Sequence, residues 1–269
     1  MKDMMQQQIP IIELEPDFLR RVKIEGNTYK IDADGLYYRD LNHILRAICC
    51  RGAEKVEIHG VCGQRYIGTD LDSTMQIDVF GTPGNDLGAF MNGPRIMVHG
   101  NVQDACGNTM NDGLIVVHGC AGDLTANSMR GGKIFVREGV GYRVGIHMKE
   151  YQNKKPTLVV GGVAQDFFGE YMAGGVALVL GLNMEVGKKC IARFVGTGMH
   201  GGVIYTRGEL FKLSEGCKIV KAGKRDLRVI EDLVRQFCGY FGNNPAGVMD
   251  RQFYKITPLS KRPYEKLYS

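Results

Sequence analysis

Val98-His99-Gly100-Asn101-Val102-Gln103-Asp104-Ala105-Cys106-Gly107-Asn108-Thr109-Met110-Asn111-Asp112-Gly113 is one copy of a phrase that recurs through the middle of the chain. An apolar run ends in a glycine, and a small residue, a methionine and a further glycine follow at set distances. The phrase also reads Val79-Phe80-Gly81 with Gly88, Met91 and Gly93, and Val117-His118-Gly119 with Ala126, Met129 and Gly132. A later copy is Val160-Gly161-Gly162 with Gly169, Met172 and Gly175. Gly81, Gly100 and Gly119 are spaced by 19 residues, as are Gly162 and Gly181, and as are Met91, Met110, Met129 and Met148. A fixed period of this size marks a solenoid.

The content of one period selects the type. Each copy holds a run of β-formers, such as Ile96-Met97-Val98, Ile115-Val116-Val117 and Ile134-Phe135-Val136, and no half-period shows a helical apolar pattern. Helical repeats need more than about 30 residues, and the leucine and asparagine columns of leucine-rich repeats are absent. The period therefore predicts an all-β solenoid, a parallel β-helix with coils of about 19 residues capped by short helices. With coils stacked at about 4.8 Å, roughly eight coils from Glu54 to Gly208 would make a rod on the order of 38 Å long.

Stacking turns each repeat position into a column. Val79, Val98, Val117, Val136, Val160 and Val179 form one apolar column, and Ile77, Ile96, Ile115, Ile134, Leu158 and Ala177 another. Alternation points both inward, and the methionine column fits the same core. The turn glycines 81, 88, 100, 107, 113, 119, 132, 162, 169, 175 and 181 fall where the backbone bends, often at positive φ. Asp104, Asp123 and Asp166 follow a leading glycine by four residues and read as caps for turn N–H groups. The column between the inward ones, Met97, Val116, Phe135, Val159 and Leu178, points outward. An exposed apolar stripe is covered either by another protein or by the chain's own end. It is the candidate interface, with self-cover by residues 226–260 the competing reading.

Outside the repeats, the chain divides into 1–53 (tail, hairpin and capping helix), 54–210 (β-helix) and 211–269 (capping helix and tail). Residues 1–20 read as a loose tail, Arg21 to Ile31 as an edge hairpin, and Leu41, Ile44, Leu45 and Ile48 as one face of a helix with Asp40 as N-cap and Gly52 at its end. Tyr151–Pro156 and the stretch between Gly181 and Gly202 are insertions. Asp226 to Phe241 is amphipathic, Phe253 to Ile256 reads as a last strand, and Lys261–Ser269 as a mobile basic tail.

Of 269 residues 44% are hydrophobic, which fits a globular chain, and the net charge of +5 is too dispersed for a nucleic-acid surface. No apolar run is long enough for a membrane helix and the polar start is no signal peptide. The eight cysteines lack zinc spacing and read as reduced thiols in the cytoplasm. His99 and His118 share a column with His59 and Phe80; because Phe80 and Arg137 are not ligands, the column reads as a surface ladder and not a metal site. His200 reads as a structural turn residue. No helix follows the glycine phrases, so they are not phosphate loops. No triad or carboxylate pair assembles from the pattern: catalytic residues, cofactor and metal are all read as none.

The phrases around Gly100 and Gly162, the segment Gln64-Arg65-Tyr66-Ile67-Gly68-Thr69 and the closing Tyr254-Lys255-Ile256-Thr257-Pro258 resemble the GXGXG domain of the glutamate synthase large (alpha) subunit. The resemblance covers roughly residues 50–258. It implies a right-handed parallel β-helix without catalytic residues, which in the full-length family braces a glutaminase domain against an FMN-containing synthase domain. This chain lacks the glutaminase's N-terminal cysteine, an FMN barrel and clustered iron–sulfur cysteines. The resemblance thus implies a separate subunit of a split glutamate synthase, with glutaminase and FMN-dependent synthase chains as partners and a homo-oligomer also open. Formylmethanofuran dehydrogenase has a scaffold-like subunit that carries the same repeat, and this is the second reading. A β-helix enzyme acting on carbohydrate is the third.

Overall fold

A computed structural model describes residues 20–182, 184, 189–208 and 213–260. The expectations for residues 1–19 and 261–269, and for part of the second insertion, lie outside the described residues. The strands are β1 (Val22–Glu25), β2 (Thr28–Asp32), β3 (Lys55–Cys62), β4 (Gln76–Thr82), β5 (Asn92–Val98), β6 (Asp112–Val117), β7 (Lys133–Val136), β8 (Thr157–Val160), β9 (Ala173–Val179), β10 (Gly201–Arg207), β11 (Cys217–Lys221) and β12 (Phe253–Pro258). From β2 to β10 they pair in parallel and in sequence order, so the chain advances by one strand with each coil. This is the parallel β-helix that the period predicts.

The register follows the columns. Val79, Val98, Val117, Val136, Val160 and Val179 stand opposite one another in turn, as do Ile77, Ile96, Ile115, Ile134, Leu158 and Ala177. All are buried, and Met91, Met110, Met129, Met148 and Met172 close the core from the turn side. A one-residue slip would expose the whole valine column, which is why the register is firm.

The long turns between strands remain hydrogen-bonded without being strands. In one of them Asp86, Gly88 and Phe90, two residues apart, have φ of 61°, 65° and 59°. Their N–H groups alternate in direction: Asp86 donates to Asp104 O at 3.0 Å, Gly88 back to Ile67 O at 2.8 Å, and Phe90 forward to Asn108 O at 2.9 Å. Only the middle position faces the core. A Cβ at Gly88 would lie 2.9 Å from Ile115 Cδ1, so this column holds glycine or, at Ala126, alanine. The leading glycines differ in cause. Gly81 has φ 125°, but Gly100, Gly119 and Gly162 are not left-handed, contrary to the simplest expectation. They are glycine because coils pass too closely there: a Cβ on Gly100 would sit 2.5 Å from Gly81 O.

The ends are closed differently. Helix α1 (Tyr38–Cys50) buries Leu41, Ile44, Leu45 and Ile48 against the first coils, as expected of a cap. Its N-cap is Tyr37, and Asp40 sits in the first turn, where a carboxylate suits the helix dipole. At the other end β12 pairs antiparallel with β10, and β11, which has no counterpart in the sequence reading, pairs with β12. Helix α2 (Lys224–Phe241) does not cap the rod's end. It lies along the outer face of the sheet, burying Ile230, Leu233, Val234 and Phe237. The short helix α3 (Pro245–Val248) leads back to β12 and is held by Arg207, whose Nε donates to Val248 O at 2.8 Å.

Candidate functional site

The sequence places the candidate interface on Met97, Val116, Phe135, Val159 and Leu178. The structure brings these residues together in adjacent register on the outer face, but beneath α2. Val116, Phe135, Val159 and Leu178 are fully buried, and Met97 packs partly buried at the margin. The interface assignment is therefore corrected: the chain covers its own stripe. The physical reason is that stripe and helix each carry an apolar face that water disfavours, and packing one on the other buries both.

The start of α2 is pinned to the sheet. Asp226 accepts from the Tyr205 hydroxyl at 2.8 Å, from Lys255 Nζ at 2.8 Å and from the Gly223 N–H at 3.1 Å. Burial pushes the Asp226 carboxyl up, but these donors outweigh it and hold it below the usual carboxylate range. Burial, with the Asp226 contact, raises the Tyr205 phenol above its ordinary value. This network is structural: it fixes where the helix begins.

The histidine column is a ladder. His59 stacks on Phe80 at 4.5 Å between ring centres, Phe80 on His99 at 4.4 Å, and His99 on His118 at 5.4 Å; Phe241 meets His118 edge-on at 5.2 Å. His99 Nε2 lies 3.1 Å from Asp78 Oδ1, and His59 Nε2 3.3 Å from Glu57 Oε2. Burial, reinforced by His99 and Arg137, lowers the His118 pKa. Among the described residues no three His, Cys, Asp or Glu side chains gather as a metal would need. His200 sits in a turn, its Nδ1 3.3 Å from Gly198 O.

The acidic column caps turns, though one coil away from each carboxylate. Asp104 Oδ1 accepts from the Asp123 N–H at 2.9 Å, Asp123 Oδ1 from the Tyr142 N–H at 2.8 Å, and Asp166 Oδ1 from the Arg193 N–H at 3.0 Å. Each carboxylate thereby ties its coil to the next, and opposing donors explain how like charges tolerate stacking.

One concave feature was missed in the sequence, although both of its walls, the Tyr151–Pro156 insertion and the amphipathic helix, were noted there. A trough of about 620 Å³ runs between that insertion and the exposed flank of α2. Gly93 at the start of β5, Gly113 at the start of β6 and Gly132 just before β7 line it in successive coils. Arg95, Lys133, Lys154 and Lys155 line it, with Asp112 as the one acid among its lining residues. Lys154 reaches back across the coils to Asp112 Oδ2 and Asn92 Oδ1, each at 3.0 Å, and Lys133 donates to Gln236 Oε1 at 2.8 Å. No described helix is long and apolar enough to cross a membrane.

These features define a class: a closed parallel β-helix built from glycine–methionine coils, with its outer apolar stripe sheathed by its own helix. The chain belongs to the GXGXG motif family, which matches residues 49–259, the kind of domain its repeats resemble in glutamate synthase. It is similar to a protein of Methanocaldococcus jannaschii described as uncharacterized protein MJ1350. The two are 47% identical over 251 residues, covering 89% of this chain and 95% of the relative.

Proposed function

We propose that this chain is a non-catalytic structural subunit of a split glutamate synthase, acting in the cytoplasm. It braces a glutaminase chain and an FMN-dependent synthase chain that together form glutamate from glutamine and 2-oxoglutarate. The observation that carries this reading is membership of the GXGXG family across nearly the whole folded region. A solenoid suits bracing because each coil is held by two neighbours, so load at one face is spread along the rod. The inter-coil bonds of Asp104, Asp123 and Asp166 add to that stiffness. In this reading the flavin and the reacting groups belong to the partners. The test is co-purification with separately expressed glutaminase and synthase chains, followed by glutamine-dependent glutamate synthesis with and without this protein. Binding to both chains and a gain in coupled activity are expected. Binding to neither, with activity unchanged on removal, overturns the reading.

A further inference from the structure

We infer that the trough between the 151–156 insertion and α2 is the docking site for an extended acidic segment of a partner polypeptide; the identity of that partner as an enzyme of the assembly rests on the function proposed above. The first ground is charge. The four cations at the trough, Arg95, Lys133, Lys154 and Lys155, face the single carboxylate of Asp112, which Lys154 already pairs. Arg95 is exposed, and its guanidinium makes no hydrogen bond or ion pair among the described residues. Lys155 has only Glu150 at 3.9 Å, so two cations stand available to a ligand.

The second ground is shape. The trough crosses the coils of Thr74, Gly93, Gly113, Gly132 and Lys155, which at the usual strand spacing makes it about 19 Å long. Its volume of about 620 Å³ over that length makes it long and narrow. About six residues of an extended peptide would span it, at about 3.3 Å each. Its glycines mark close passage of the coils: a Cβ at Gly113 would lie 2.4 Å from Pro94 O of the preceding coil. A single nucleic-acid strand is the other linear polyanion, but it gains from free aromatic faces for stacking. The aromatic ring here, Tyr240, is engaged by Phe135 at 5.1 Å and by Phe241 at 6.4 Å.

The test uses the full chain and fluorescein-labelled octaglutamate, read by fluorescence anisotropy across a salt series. Saturable binding that weakens with salt is expected. The pair Arg95→Glu with Lys155→Glu should reduce affinity at least tenfold. The pair Lys218→Glu with Lys221→Glu, on exposed β11 beyond the last coil, should change it less than twofold. All four side chains are exposed, so melting temperatures should match wild type and separate lost binding from lost folding. Absent saturable binding, equal loss in both pairs, tighter binding of labelled octathymidylate, or a shift in oligomeric state on reversing Arg95 and Lys155 would each overturn the proposal. The two readings fail separately. A chain that joins glutaminase and synthase yet ignores octaglutamate defeats the trough alone. One that binds octaglutamate through Arg95 and Lys155 but joins neither enzyme defeats the glutamate synthase assignment.

Discussion

Replacing Phe135 by alanine tests how the rod's outer face is closed. Phe135 sits at the centre of the stripe, between Val116 and Val159, and is fully buried under α2 with Tyr240 at 5.1 Å between ring centres. Truncating a buried phenylalanine removes its transfer free energy and leaves a cavity, at a cost of about 3–5 kcal/mol. In a chain of this size each kcal/mol shifts the melting temperature by about 2–4 °C, so a fall of about 6–20 °C is expected. Were Phe135 a free surface residue awaiting a partner, the change would stay within about 0.5 kcal/mol. Thermal melts followed by circular dichroism separate these outcomes, and hydrogen exchange locates the damage. The amides of α2 should lose protection first, because the helix rests on this contact while the coils retain their own core. A melting temperature within about 2 °C of wild type, with α2 still protected, would refute the covered-stripe geometry.

Gly107→Val should destabilise by about 2–5 kcal/mol, combining a left-handed backbone at φ 68° with a Cβ placed 2.3 Å from Ile134 Cδ1; denaturant titration reads the loss. The depressed pKa of His118 means that the unfolded chain takes up its proton more readily than the fold does. Its contribution is full above the ordinary value of 6.5, falls as pH drops from there through the lower folded value, and is level below that. His118→Gln should flatten the stability profile in that window, measured as denaturation midpoints against pH. Alkylation of the native protein at mildly alkaline pH should modify Cys50 and Cys62, which are exposed, and spare Cys106, which burial pushes up to about 12; mass mapping of peptides checks this. Rapid labelling of Cys106 would mean that the core opens.

What the sequence discloses and what it hides differ by physical cause. The coils were legible because equivalent residues stack, so any position that faces the core must repeat: the valine, isoleucine and methionine columns are that requirement written out. The left-handed turns were legible only at their glycines, such as Gly88, Gly107 and Gly169. Asp86 and Phe90 adopt positive φ without being glycine, and only Gly88, whose Cβ would enter the core, leaves a trace in residue choice. The aspartate caps were legible in kind but not in target, since their donors belong to the next coil and adjacency along the rod is invisible in a local reading. The trough escaped for the same reason. Arg95 and Lys155 are far apart in sequence and meet only because the insertion folds back across three coils.

The reach of α2 was in fact encoded, in a column that can now be followed through its whole length. The outward position runs Glu57, Asp78, Met97, Val116, Phe135, Val159, Leu178 and Tyr205. It begins with two carboxylates held by neighbours, Glu57 by Lys55 and Asp78 by Lys55 and His99, and turns apolar at Met97, where the helix's cover begins. At Tyr205 it becomes amphipathic, and the hydroxyl there fastens the helix start through Asp226. This switch also constrains how the rod meets other proteins. This outward apolar stripe is consumed by its own helix, so a partner cannot be recruited by burying it. The trough offers recognition of another kind, since Arg95, Lys133 and the insertion's Lys154 and Lys155 concentrate positive charge there. On the function proposed above, the rod keeps this stripe dry when alone and still offers an address to an acidic chain.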